Sequence, residues 1–138
     1  MSGPLIFVTT AKIKPGRLED YKRFATELLA AFKAREPQII AMHVFLNERG
    51  TEMTSIQVHP DSASMDRHMK VLDQVLGEDM SQWVTRADFL EIKHIEIYGT
   101  ASTALLEADQ KWVDSGAVSR EVKPVHIVGF TRASIGAS

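Results

Sequence analysis

The feature that most constrains the fold of this chain is a set of strand-like stretches that are apolar on both faces. In residues 38–47, one face carries Ile40, Met42, Val44 and Leu46. The opposite face carries Ile39, Ala41, His43 and Phe45. Because successive side chains of a strand point to opposite sides of a sheet, a sheet built from such strands needs a cover on each side. Helices of the same chain can cover one side, so the sequence predicts a second, separate cover for the other.

Two periodicities alternate along the chain and predict a mixed α+β fold. Strand-like stretches cover residues 5–13, 38–47, 51–59 and 89–98. Three- and four-residue apolar periods predict one amphipathic helix over 17–36 and a second that opens at Asp61 and ends near Gly77. The resulting order, βαββαβ, predicts a ferredoxin-like antiparallel sheet with both helices on one face.

A further helix and a further strand are predicted after this core. Leu105, Ala108 and Trp112 share one face of a helix over 103–115, and the apolar run 124–131 is typical of a strand. We expect this strand to add to a sheet edge, in its own subunit or in a partner's. The chain then forms one domain over 1–138, with a core at about 5–99 and a helix–strand extension at about 100–132.

Three short motifs in the core occur in an order and spacing found in a known family. They are the Lys14-Pro15-Gly16 turn, the Glu36-Pro37 pair after the first helix, and Asp61 leading to the His68-Met69 pair. Together they resemble the antibiotic-biosynthesis-monooxygenase-like group of dimeric α/β barrels, in which leucine is usual at the position of Met69. The resemblance covers about residues 5–99 and leaves the extension outside.

The resemblance implies both an assembly and an activity. In that family the sheet of a second subunit covers the open face, so it implies a homodimer with a ligand cavity between the two sheets. It further implies a cofactor-independent monooxygenase-like enzyme for a small aromatic or polyketide-like compound. His59 departs from the family pattern, because an aromatic residue, typically tryptophan, is frequent at the end of the third strand. The haem-degrading branch of the family relies on an asparagine on the first strand. The lone asparagine here, Asn47, lies in the hairpin, which argues against that branch.

Four residues are candidates for proton transfer. His68 lies on the apolar stripe of the second helix and matches the family's histidine. His94, Glu96 and Tyr98 alternate along the last core strand and should share one face. Each has a competing interpretation: His68 as a packed, hydrogen-bonded histidine, and the strand set as an exposed edge or a polar interface patch.

Four further residues are candidates for ligand contacts, namely His43, Phe45, His59 and Trp83. His43 and His59 could approach each other across the hairpin, but two imidazoles without a carboxylate make a weak metal site. The chain has no cysteine and no glycine-rich phosphate loop. We therefore expect no metal, flavin, nucleotide or other cofactor.

Charge and hydropathy limit the remaining function classes. A formal charge of −2 and a pI near 6.2 argue against nucleic acid as a main partner. No apolar run approaches the roughly 18 residues of a membrane span, and no secretory signal is visible, so a cytoplasmic location is expected. The alternative to an enzyme is a non-catalytic small-ligand-binding or stress-related barrel.

Overall fold

A computed structural model describes residues 3–79 and 89–132 of the chain. In chain order, its elements are β1 (Leu5–Ile13), α1 (Leu18–Arg35), β2 (Ala41–Leu46), β3 (Glu52–His59), α2 (Ser62–Gln74), β4 (Leu90–Tyr98), α3 (Thr103–Ala108), α4 (Gln110–Asp114) and β5 (Ser119–Lys123). The predicted βαββαβ order of the core is confirmed. The sequence also predicts a short helix around 80–85, anchored by Trp83, and this segment lies outside the described residues.

The five strands form one sheet in the order β2-β3-β1-β4-β5. β1 pairs antiparallel with β3 and β4, and β5 adds parallel to β4. The helices α1 and α2 pack on one side, which we call the helix face; the opposite side is the open face. This arrangement confirms the ferredoxin-like fold with helices on one face.

Within the described ranges, no helix has the length and apolar character needed to cross a membrane.

The stripe predicted for α1 is buried against the helix face. The predicted stripe consists of Leu18, Tyr21, Ala25, Leu28, Leu29 and Phe32. Of these, Tyr21, Leu28 and Phe32 are buried, and Phe24, which the stripe does not include, is buried with them. The ring of Phe24 stacks on Phe89 with centroids 5.1 Å apart. A second cluster joins Leu5, Met65, Ile95, Ile97, Leu105 and Val118, which ties α2 and α3 to the sheet. Burial of these side chains supplies the main driving force for folding.

Both ends of α2 follow from specific residues. The Asp61 carboxylate accepts a 2.9 Å hydrogen bond from the Ser64 backbone N–H, which confirms Asp61 as the N-cap. The expected C-cap at Gly77 is wrong, because a π-helical turn continues over Val75–Asp79. Val75 is fully buried and Leu76 packs on the same core cluster, so the helical chain continues past the point where a cap was predicted.

The extension differs from its prediction in two places. The single helix expected over 103–115 is split, because Arg120 Nη1 donates to the Leu106 carbonyl at 2.8 Å and to the Asp109 carboxylate at the junction. The strand expected over 124–131 does not form within the single subunit: β5 occupies 119–123, and residues 124–132 form no strand there. The apolar content of residues 124–131 predicts a strand there. The charged, alternating segment 119–123 forms the strand instead, because charged side chains suit the exposed edge of a sheet.

Candidate active site

A cavity of about 480 Å³ lies between the helix face of the sheet and the helices. Its lining is mainly apolar and includes Phe24, Leu28, Phe32, Met42, Val44, Met65, Met69 and Ile95. The sequence-based expectation placed the ligand cavity between two sheets, on the open face. Within the single subunit, the structure shows a cavity on the other side of the sheet. Its size lies within the usual range of about 300–1,000 Å³ for small-molecule sites.

His68 is the titratable residue of greatest chemical interest in the cavity wall. Its Nδ1 lies 2.8 Å from Glu36 Oε2, and both side chains are about 2% exposed or less. The other oxygen, Glu36 Oε1, accepts a 3.1 Å hydrogen bond from Gln38 Nε2. When Glu36 Oε2 accepts the hydrogen bond from the imidazole, the ring proton of neutral His68 lies on Nδ1 and a lone pair remains on Nε2. A neutral histidine oriented in this way can accept a proton.

The local structure fixes this pair without strain. Glu36 is the C-cap of α1 and its backbone N–H donates to the Phe32 carbonyl at 2.8 Å. His68 lies two turns into α2, on the side that faces α1. The ring of Phe32 meets the His68 ring edge-on, with centroids 4.5 Å apart. The cap, the helix and the aromatic contact therefore hold the imidazole in one orientation.

A second buried histidine, His59, lies behind His68 at the end of β3. The two ring centroids are 5.7 Å apart. His59 Nδ1 lies 2.7 Å from the Ser64 hydroxyl, and its Nε2 lies 3.1 Å from the Gln57 side-chain oxygen. Burial, reinforced by the neighbouring His68, lowers the pKa of His59 to about 4. The ring is neutral at pH 7, with Nε2–H donating to Gln57 and Nδ1 accepting from Ser64.

The low pKa of His59 makes stability depend on pH. Below about pH 6.5 the unfolded chain binds a proton at this residue that the folded protein does not take up until about pH 4. We therefore expect His59 to cost the folded state about 1 kcal/mol per pH unit as the pH falls from 6.5 to 4. Urea unfolding at pH 7.0, 6.0 and 5.0 measures this slope. His59→Gln should have a shallower slope than the wild type, and equal slopes would contradict the assignment.

The predicted set His94, Glu96 and Tyr98 comes together as expected, but on the open face. Tyr98 donates from its hydroxyl to Glu96 at 2.6 Å, and His94 Nε2 lies 3.1 Å from the same carboxylate. The hydrogen bond from Tyr98, followed by that from His94, lowers the pKa of Glu96, and the same bond to Glu96 raises the pKa of Tyr98. The sheet separates this set from the cavity.

The described residues contain one group with suitable ligands for a metal ion. Ligand atoms of His94, Glu96 and Glu121 all lie within 4.8 Å of one another. Glu121 is exposed and also lies 3.1 Å from Lys123, so the group satisfies much of its own hydrogen bonding and charge. Sequence reasoning missed Glu121 because it predicted the last strand over 124–131, so Glu121 was not expected beside His94 and Glu96 on the sheet.

The four candidate ligand-binding residues are distributed over different places. His43 and Phe45 lie on the open face of β2, with ring centroids 6.2 Å apart. His59 lies on the helix face, so it does not approach His43 across the hairpin and pairs with His68 instead. Trp83 lies outside the described residues.

Sequence reasoning missed Glu36 as part of the site, although the residue was noted. The Glu36-Pro37 pair predicts only the turn that ends the first helix. The available signal is that Glu36 follows Phe32 by four residues, which places its carboxylate on the apolar stripe of the helix, where a buried charge needs a hydrogen-bonding partner. Its partner His68 is 32 residues away, and periodicity cannot supply that pairing.

Comparisons with known proteins support the fold. No protein-family model matches the chain, and no curated protein matches it. Among solved structures, MupZ from Pseudomonas fluorescens is similar with a TM-score of 0.67 and 16% identity. That likeness covers 98% of this chain and 94% of MupZ, so it includes the C-terminal extension.

Two further structures are similar over the core. SnoaB from Streptomyces nogalater, a cofactor-independent oxygenase, has a TM-score of 0.55 and 16% identity, covering 72% of this chain and 95% of SnoaB. A candidate antibiotic biosynthesis monooxygenase from Bacteroides thetaiotaomicron has a TM-score of 0.54 and 18% identity, covering 69% and 85%. The chain therefore has the fold of the antibiotic-biosynthesis-monooxygenase-like proteins, as the sequence motifs predicted. At these identities the likeness establishes the fold and not the activity.

Proposed function

We propose that this protein is a cofactor-independent oxygenase for a small aromatic or polyketide-like compound. The observation that carries the proposal is His68, which lies in the wall of an apolar cavity and is held by a buried hydrogen bond to Glu36. Apolar walls favour a flat, largely apolar substrate, and an oriented imidazole can take a proton from it. The similarity in fold to SnoaB, a cofactor-independent oxygenase, is consistent with this chemistry.

The reaction uses the substrate as the source of electrons. His68 Nε2 removes a proton from an acidic C–H or phenolic O–H of the bound compound, and Glu36 stabilises the imidazolium that forms. The resulting anion reduces dioxygen and forms a C–O bond. For an anthrone-type methylene the balance is CH₂ + O₂ → C=O + H₂O, so each turnover consumes one dioxygen. The first product of this step is a peroxide, which takes the proton back from His68. The second methylene C–H then loses its proton as the O–O bond breaks, and this proton leaves with the hydroxide as water.

The role of Glu36 predicts the effect of Glu36→Gln. Loss of the carboxylate removes the group that fixes the tautomer of His68, so kcat should fall by about 10²-fold with little change in KM. Steady-state oxygen consumption measures both constants. Glu27→Gln, on the exposed side of the same helix, is the matched control and should behave like the wild type. Equal activity of the two variants would contradict the role of Glu36.

We also propose that the protein is a homodimer. The open face carries Ile6, Val8, Ile56 and Val58 at its centre, all only partly buried in the single subunit, and Phe45 near its edge is 58% exposed. Apolar area left in water costs roughly 25 cal/mol per Å², so a second sheet is a favourable cover. The set His94, Glu96 and Tyr98 then forms a polar patch at this interface.

Light scattering at micromolar concentration tests the dimer. We expect about twice the chain mass of 15.4 kDa. A clean monomer would contradict the proposed interface and leave the single-subunit cavity unaffected.

A non-catalytic small-ligand-binding protein is the second candidate. The observation that favours it is the extent of the apolar lining, which suits retention of a ligand as well as its oxidation. The two functions differ in turnover. A binding protein would saturate with one ligand per cavity and release it unchanged, whereas the oxygenase returns an oxidised product.

A further inference from the structure

We propose that residues 124–132, here called the C-terminal arm, add as a strand to the free edge of β2 in a second copy of this chain. The exchange is reciprocal, so each subunit gives one arm and receives one. The inference rests on the dimer proposed above. It adds to that dimer a specific second contact between subunits.

The C-terminal arm is an apolar segment without cover in its own subunit. Its chain leaves the sheet after Lys123, the last residue of β5. Val125, Ile127, Val128 and Phe130 are 80–88% exposed. Four large apolar side chains within six residues rarely remain in water unless they form an interaction site. In an extended conformation, both faces of this segment would carry apolar side chains, as in a strand that is covered on each side.

The edge of β2 is the matching unprotected surface. β2 ends the sheet and is paired on one side by β3. Natural edge strands usually carry charges that prevent pairing with another chain, yet β2 (AMHVFL) contains no acidic residue, lysine or arginine. Ile40, Phe45 and Leu46 along it are 42%, 58% and 38% exposed. The opposite edge strand, β5 (SREVK), carries three charged residues and has the usual protection.

The C-terminal arm cannot pair along its length with the β2 edge of its own subunit. β2 and β5 lie at opposite edges of the five-stranded sheet, which places them about 19 Å apart at a strand spacing of about 4.8 Å. Only Pro124 separates β5 from Val125, and two residue steps span at most about 7 Å. The β2 edge of a second copy is therefore the one that the arm can pair with. Residues 125–130 also match the six residues of β2 in length.

Arm exchange would also stabilise the part of the cavity wall that β2 forms. Met42 and Val44 project from β2 into the cavity wall, so pairing of the outer edge of β2 with the partner's arm would hold that wall in place. A two-fold axis makes the two contacts equivalent, and the arrangement closes without leaving a free arm or a free β2 edge.

Cross-linking of the full-length chain tests the inference. The chain has no cysteine, so introduced thiols are unique. The double variant Val128→Cys/His43→Cys, treated with a short bis-maleimide that tolerates an offset of a few residues, should yield mainly covalent dimer. Peptide mass spectrometry should locate the link between positions 128 and 43. The control is Val128→Cys/Lys22→Cys, with its second thiol on the outer side of α1, and should yield at least tenfold less dimer.

The possible results distinguish failure of the proposed arm exchange from failure of the proposed dimer. A dimer by light scattering with equal cross-linking in both variants would overturn arm exchange and leave the dimer standing. A 128–43 link within one chain would also overturn the exchange. A 15.4 kDa particle would overturn the dimer and the exchange together. Oxygenase activity is measured independently and does not enter this test.

Discussion

Replacing His68 with glutamine should lower kcat/KM for substrate-dependent oxygen consumption by about 10²–10⁴-fold, the usual contribution of a general base. Glutamine retains hydrogen bonding to Glu36 but cannot accept and hold the substrate proton. The variant should still fold, because one buried polar side chain replaces another of similar volume.

The matched control for this prediction is Lys70→Gln, an exposed position on the same helix. It should retain wild-type kinetics. Circular dichroism and thermal melts would show that both variants are folded. A folded His68→Gln variant with undiminished oxygen consumption would show that His68 has a packing role only.

Replacing Phe32 with alanine should lower the free energy of unfolding by about 3–5 kcal/mol. Phe32 is 5% exposed, packs in the main core cluster and meets the His68 ring edge-on. The substitution removes these contacts and enlarges the existing cavity. Denaturant unfolding measures the change.

The neighbouring substitution Lys33→Ala, on the exposed side of α1, provides the comparison and should change stability by less than about 0.5 kcal/mol. Similar small effects of both substitutions would mean that the buried face of α1 is assigned wrongly.

Much of the fold could be predicted from the sequence because periodicity reports burial directly. The alternation in 38–59 and the stripe from Tyr21 to Phe32 give strand and helix without knowledge of their partners. Phe24 shows the limit of the method. It was left out of the predicted stripe, yet it is 1% exposed, because its burial depends on Phe89 more than sixty residues away.

The candidate site was less predictable, since it depends on long-range pairing. His68 was identified from its position, but Glu36 acquires a role only when α1 and α2 lie side by side. The family resemblance implies a ligand cavity between two sheets, on the open face, and no sequence pattern marks the cavity that the helix face forms within one subunit. The volume left between the helices and the sheet depends on how the side chains pack.

The C-terminal extension shows a different limit. Segment 124–131 has the apolar content of a strand, while 119–123 does not, yet the second pairs with β4. Arg120 contributes through its hydrogen bonds to the junction of α3 and α4, a contact that composition does not reveal.

The most direct test of the account is oxygen uptake by the purified protein with an anthrone-type substrate, in the presence of a metal chelator and under ¹⁸O₂. We expect consumption of one dioxygen per substrate, ¹⁸O in the new carbonyl group of the product, and loss of this activity in His68→Gln. Uptake no faster than in buffer across a broad panel of anthrones and quinols, with substrate bound but recovered unchanged, would contradict the oxygenase and identify the cavity as a binding site alone.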